Sequence, residues 1–122
     1  MILVDTSIWI DHLRNGDAGL ARLLEDARVA VHPFVIGEIA LGNLRARDDV
    51  LATLTKLPHA VVASNEEVLH FVAIHSLSGL GIGLIDVHLL AATRLTADLA
   101  LWTRDKKLLT VASRLGMAAA IP

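Results

Sequence analysis

Short apolar runs, set apart by longer stretches of helical spacing, narrow the folds open to this chain more than any other feature. The runs cover residues 2–4, 29–32, 60–63, 99–103 and 118–121. Runs that are apolar throughout, rather than alternating with polar residues, suit strands covered on both faces, as in a parallel sheet. Between them, apolar residues recur at helical spacing over residues 7–13, 20–27, 35–44 and 50–57, and again over 86–97 and 105–115. A further helix is expected after Ser64, which stands three residues before Glu67 in capping-box spacing. Strands alternating with helices make βαβ units, so the expected fold is α/β: a three-layer α/β/α sandwich around a central, mostly parallel sheet.

A length of 122 residues with 54% hydrophobic content is the size and make-up of one domain, here expected to span residues 1–122. The mean hydropathy of +0.58 raises the question of a membrane. No apolar stretch approaches the ~18 residues of a spanning helix, and only Ile2, Leu3 and Val4 precede the first charge. With no cysteine to form disulfides, a cytoplasmic setting is expected, with no membrane association.

The acids carry the chemistry. Asp5 and Asp105 stand just beyond expected strands, where open parallel sheets gather their ligands. Asp5, Asp86 and Asp105 also fall where helices begin, and for any one of them alone helix capping is the simpler role. Glu38 is not open to that reading. It lies inside "PFVIGEIALG", several residues after the proline that suits a helix start. A buried, unpaired glutamate costs several kcal/mol or must change its pKa. Glu38 therefore calls for a tertiary Arg or Lys, exposure in a cleft, or a metal ion shared with other carboxylates. The metal accounts for several acids at once. Hard divalent cations such as Mg²⁺ or Mn²⁺ take oxygen ligands, and such a site would bring Asp5, Glu38, Asp86 and Asp105 together.

These motifs resemble the PIN-domain ribonucleases, and among them the VapC toxins of toxin–antitoxin pairs. The resemblance spans essentially the whole chain through "VDTSIWID", "PFVIGEIALG", "GIGLIDVHLLAAT" and "LALWTRDKKL". It implies a PIN-like fold and a metal-dependent endoribonuclease, with Asp5, Glu38, Asp86 and Asp105 as catalytic metal ligands for Mg²⁺, for which Mn²⁺ substitutes. Thr103 would match the family's supporting hydroxyl, with Thr6 or Ser7 positioning Asp5 or a water. Cleavage would leave a 5′ phosphate and a 3′ hydroxyl. The resemblance also implies an RNA substrate, a VapB-type antitoxin and a homodimer.

The net charge of −2, from 13 acids against 11 Lys and Arg, argues at face value against a nucleic-acid binder. With four acids assigned to metal, nine remain against the 11 basic residues, and the rest of the surface is mildly basic. Arg104, Lys106 and Lys107 sit at an expected helix start, where the dipole favours phosphate, and are candidate RNA contacts as well as an ordinary solvated surface. "GLGIGL" lacks G-x-G-x-x-G spacing and follows a helix, so it reads as a flexible approach to Asp86. The histidines lack H-E-x-x-H spacing, and His70 and His75 are expected on different helix faces. Trp102 is expected in the core, and few aromatics are left to form a stacking platform for bases. Two other classes compete: a non-cleaving PIN-like module that binds RNA or protein, and a receiver-like phosphoacceptor. "VDTS" lacks the adjacent acid pair that the receiver reading needs.

Overall fold

The computed structural model describes residues 1–121. Its order is β1 (Ile2–Val4), α1 (Thr6–Asn15), α2 (Ala18–Glu25), β2 (Val29–Ala30), α3 (Pro33–Ala40), α4 (Arg47–Thr55), α5 (Asn65–Ile74), α6 (Leu84–Leu95), β3 (Ala100–Trp102) and α7 (Lys106–Arg114). The sheet runs β2-β1-β3, parallel throughout, with Leu3 opposite both Ala30 and Leu101 and Val4 opposite Trp102. β1 is central because Ile2, Leu3 and Val4 are apolar without interruption and can be covered on both faces; Leu3 and Val4 are wholly buried. Helices flank the sheet to give the expected three-layer α/β/α arrangement, and the core joins Leu3, Ile8 and Leu20 to Leu89, Leu101 and Leu108.

Two of the five expected strands are not formed: residues 60–63 make no strand bridge, with a single parallel bridge of Val31 to His59 just before them, and residues 118–121 shrink to one bridge, Leu101 with Ala118. At the β2 edge the cause is the partner. Val31 donates to the Pro58 carbonyl and accepts from the Ala60 amide, but the backbone then turns at His32, the N-cap of α3, into Pro33, which has no N–H. Residues 60–63 have nothing further to pair with, and Val61 and Val62 are left about half exposed. α3 also stops at Ala40 rather than near residue 44, because Gly42 closes a tight turn onto the Ile39 carbonyl. The Ser64 and Glu67 capping box forms as expected, each side chain accepting from the other residue's backbone N–H. No helix among the described residues is long and apolar enough to cross a membrane.

Candidate active site

Parallel strands that give way to helices leave unpaired backbone N–H groups at one end of the sheet, and acidic side chains meet them there. Asp5 follows β1 directly. Its own N–H donates to the Trp102 carbonyl, which holds it beside the end of β3. Its Oδ1 accepts from the Thr6 N–H at 2.8 Å and its Oδ2 from the Thr103 hydroxyl at 2.7 Å, so both carboxylate oxygens are engaged in an almost fully buried setting. The Thr103 oxygen in turn accepts from the Asp105 N–H at 3.1 Å, while Asp105 Oδ1 caps α7 through Leu108. One buried hydroxyl thus ties the ends of β1 and β3 together.

Glu38 joins through a second hydroxyl: Thr6 Oγ1 donates to its Oε1 at 2.7 Å. Of the three answers open to Glu38, partial exposure is observed, together with this hydrogen bond. Among the described residues it forms no ion pair, and the only ion pairs are those of Arg104. Asp86, in the first turn of α6, accepts from the Gly83 N–H at 3.1 Å. Burial raises its carboxyl above the ordinary value, and the charges of Asp5, Asp105 and Glu38 push the same way against the lowering effect of Gly83. The four acids therefore share one electrostatic neighbourhood although they come from four separate stretches of chain. Helix capping and clustering turn out to be compatible: Asp5 and Asp105 do both.

Ser7 is exposed and makes no hydrogen bond to these acids among the described residues, so of the two hydroxyls expected near Asp5 it is Thr6 that bridges. Arg104 is already engaged. Its Nη2 donates to Asp17 Oδ2 at 2.7 Å, Asp11 lies 3.8 Å away, and the guanidinium stands 5.1 Å from the Trp102 ring centroid. Asp17, whose side chain also caps α2, is held below the ordinary carboxylate range by Arg104 first and by Leu20's N–H next. Nothing in the sequence marked this pairing, because Asp17 and Arg104 are 87 positions apart. Lys106 and Lys107 are exposed on the first turn of α7, and the Lys107 side chain lies over Gly81. Gly81 has φ +77°, and a Cβ there would stand 2.9 Å from Lys107 Nζ. The glycine stretch is thus a shaped approach to α6 as well as a permissive one.

The histidines depart from expectation in one respect: His70 and His75 line the same groove between α5 and α6. Sequence reading also passed over a buried pair. His32 and His88 are nearly inaccessible, their rings 6.3 Å apart, with Phe34 edge-on to both. His32 Nδ1 accepts from the Phe34 N–H, and among the described residues His32 Nε2 and His88 Nδ1 have no hydrogen-bond partner.

The donor set suits a hard divalent cation. It is all oxygen, and among the described residues none of the four acids forms an ion pair and no protein donor holds Glu38 Oε2, Asp86 Oδ1 or Asp105 Oδ2. As they stand, no three Asp, Glu or His side chains among the described residues converge on one ligating point. Binding would therefore draw these carboxylates together against their mutual repulsion.

The fold and this acidic centre have a recognisable class. Residues 2–113 match the family described as PIN domain. The chain is also 46% identical over 120 residues to Ribonuclease VapC32 of Mycobacterium tuberculosis, in strain CDC 1551 / Oshkosh and equally in strain ATCC 25618 / H37Rv; the alignment covers 98% of this chain and 97% of each relative. The chain belongs to the PIN-domain family, among its VapC ribonucleases.

Proposed function

We propose that the acidic cleft between the ends of β1 and β3 is the catalytic centre of a toxin endoribonuclease, in which Asp5, Glu38, Asp86 and Asp105 hold Mg²⁺, with Mn²⁺ able to replace it. VapC ribonucleases of the PIN family are metal-dependent. The observation that carries the residue assignment is the hydroxyl-bridged grouping of Glu38, Asp5 and Asp105 through Thr6 and Thr103, with Asp86 near enough that its carboxyl, raised first by burial, is raised further by their charges. When bound, the metal lowers the pKa of water to supply the nucleophile and offsets charge on the phosphoryl and leaving oxygens.

The chain's own residues prepare this chemistry. The Thr6 N–H and Thr103 hydroxyl hold Asp5 in one orientation, as outer partners do for metal-binding carboxylates. Thr6 Oγ1 occupies one oxygen of Glu38 and leaves the other for a ligand. Because Thr103 also receives the Asp105 N–H, one side chain joins the first and last acids of the chain, beside the backbone bond from Asp5 to Trp102.

The expected antitoxin has a fitting surface. A groove of about 390 Å³ between α1, α3 and α4 is lined by Ile10, Leu13, Ile39 and Val50, with Arg14 and Arg45 among its polar lining residues. It sits on the helices that carry Asp5 and Glu38, so a VapB-type tail lying in it would reach the acids. Pairing of two copies and residence in the cytoplasm complete the reading.

Cleavage of total cellular RNA by the purified chain, with Mg²⁺, with Mn²⁺ and with EDTA, tests it beside Asp5→Asn, whose amide oxygen can still cap α1. Discrete new 5′ phosphate ends that require metal and vanish in the variant are expected. A folded, metal-supplied wild-type chain that cuts nothing would favour a non-cleaving PIN-like module.

A further inference from the structure

α7 leaves the acidic cleft carrying a row of cations. Lys106, Thr110 and Arg114 are spaced four apart and so share one face, over about 12 Å of helix. With Lys107, Leu80 and Val111 they line an open depression of about 290 Å³ in which no acidic residue takes part. Among the described residues, Lys106, Lys107 and Arg114 form no ion pair. Arg114 is steadied by one bond, from Nη2 to the His75 carbonyl at 2.8 Å, which leaves its other N–H groups available. The apolar side of the trough is Leu80, about a third exposed, with the edge of Val111.

Position ties the trough to the candidate site. Its cationic end begins at Lys106, directly after Asp105. Its Leu80 belongs to the glycine stretch that leads to Gly83, the residue whose N–H binds Asp86, and Lys107 lies over Gly81 in that stretch. Two of the four acids are thus tied closely along the chain to the trough, Asp105 to Lys106 and Asp86, through Gly83, to Leu80. The contrast with Arg104 is instructive, since that arginine is paired with Asp17 and Asp11 and does not line the trough.

Resting on the ribonuclease reading and extending it, we propose that the RNA strand passes from the acidic cleft along α7, its phosphates against Lys106, Lys107 and Arg114 and a base or ribose over Leu80 and Val111. Charge complementarity selects the occupant: a strand with phosphates spaced along it gains from three cations free of ion pairs among the described residues, while Leu80, Val111 and the aliphatic stems of the cations give its bases and riboses an apolar floor. Recognition here reads backbone and shape, so the trough would set affinity and strand direction more than base identity.

The test uses the full chain with Asp5→Asn, so that bound RNA stays intact, and a short single-stranded RNA of mixed sequence as probe. Affinity is measured across a salt series for the parent and for a Lys106→Gln, Lys107→Gln, Arg114→Gln triple variant, with Lys106→Gln alone as a form that disturbs no protein contact. Each phosphate contact contributes about 0.7 to the slope of log K against log salt. The triple variant should flatten that slope by about 2, and Lys106→Gln by about 0.7. In the catalytically intact background, KM for the same RNA should rise while kcat holds. Unchanged slopes in both variants, or no RNA binding by the parent, would overturn the trough. Failure of the wild type to cleave, with the slopes still falling, would instead remove the nuclease reading and leave the RNA surface standing.

Discussion

β1 and β2 lie side by side and end alike, each handing its chain to a helix through a side chain that accepts a backbone N–H. After β1 that residue is Asp5; after β2 it is His32. The cap geometry is shared and the electrostatics are opposite. Asp5 receives two donors and sits among other acids, its charge felt by Asp86. His32 is sealed beneath Phe34 beside His88, and burial first, then the charges of His88 and His59, push its imidazole down to about 4 from 6.5. The comparison separates what a strand end requires, an acceptor, from what it becomes, which its neighbours decide.

Thr103 should break the first half of this comparison most severely. Thr103→Val keeps the side-chain shape but strips Asp5 Oδ2 of its donor and the Asp105 N–H of its acceptor. Loss of such a supporting partner costs about 10–100-fold in metal affinity or activity. RNA cleavage rates and Mn²⁺ calorimetry should both fall in that range, with Thr103→Ser recovering most of the loss. Equal activity in the valine variant would mean that the hydroxyl bridge is not part of the site.

His32 sharpens the second half through pH. Its folded-state pKa lies below the unfolded value, so on acidification the unfolded chain takes up the proton first. Stability from keeping His32 neutral is intact above about 6.5 and is lost as pH falls toward about 4, by at most about 3 kcal/mol. Urea midpoints taken through that window should decline in the wild type and flatten in His32→Asn, which can still cap α3. A variant that declines just as steeply would place the titration elsewhere.

The smallest effect is expected at Arg104. Its partly exposed pair with Asp17 is worth at most about 1 kcal/mol, so Arg104→Ala should lower the melting temperature slightly and leave cleavage within about twofold. A collapse of activity with the fold intact would return Arg104 to the RNA path.

Much of this molecule is legible before it folds. The apolar runs announce a parallel sheet, Ser64 and Glu67 announce a helix start, and Glu38, set among apolar neighbours where no cap is needed, singles itself out. Less legible were the edges of the sheet. Residues 60–63 look as strand-like as residues 2–4, but a strand needs a partner, and β2 ends too soon to supply one. Arg104 and Lys106 look alike in "TRDKK", although one is neutralised by Asp17 and the other is free.

Local chemistry, written in the order of residues, was thus enough to name the class of fold and several of the caps and to single out the candidate acids, because periodicity and capping act over a few positions. Tertiary structure alone decided which hydroxyl joins Asp5 to Glu38 and which joins it to Asp105, which arginine is spent, and which histidine is kept neutral. Those outcomes depend on distance and burial between segments dozens of positions apart, and hydrogen bonds and charges respond to that distance, not to order along the chain.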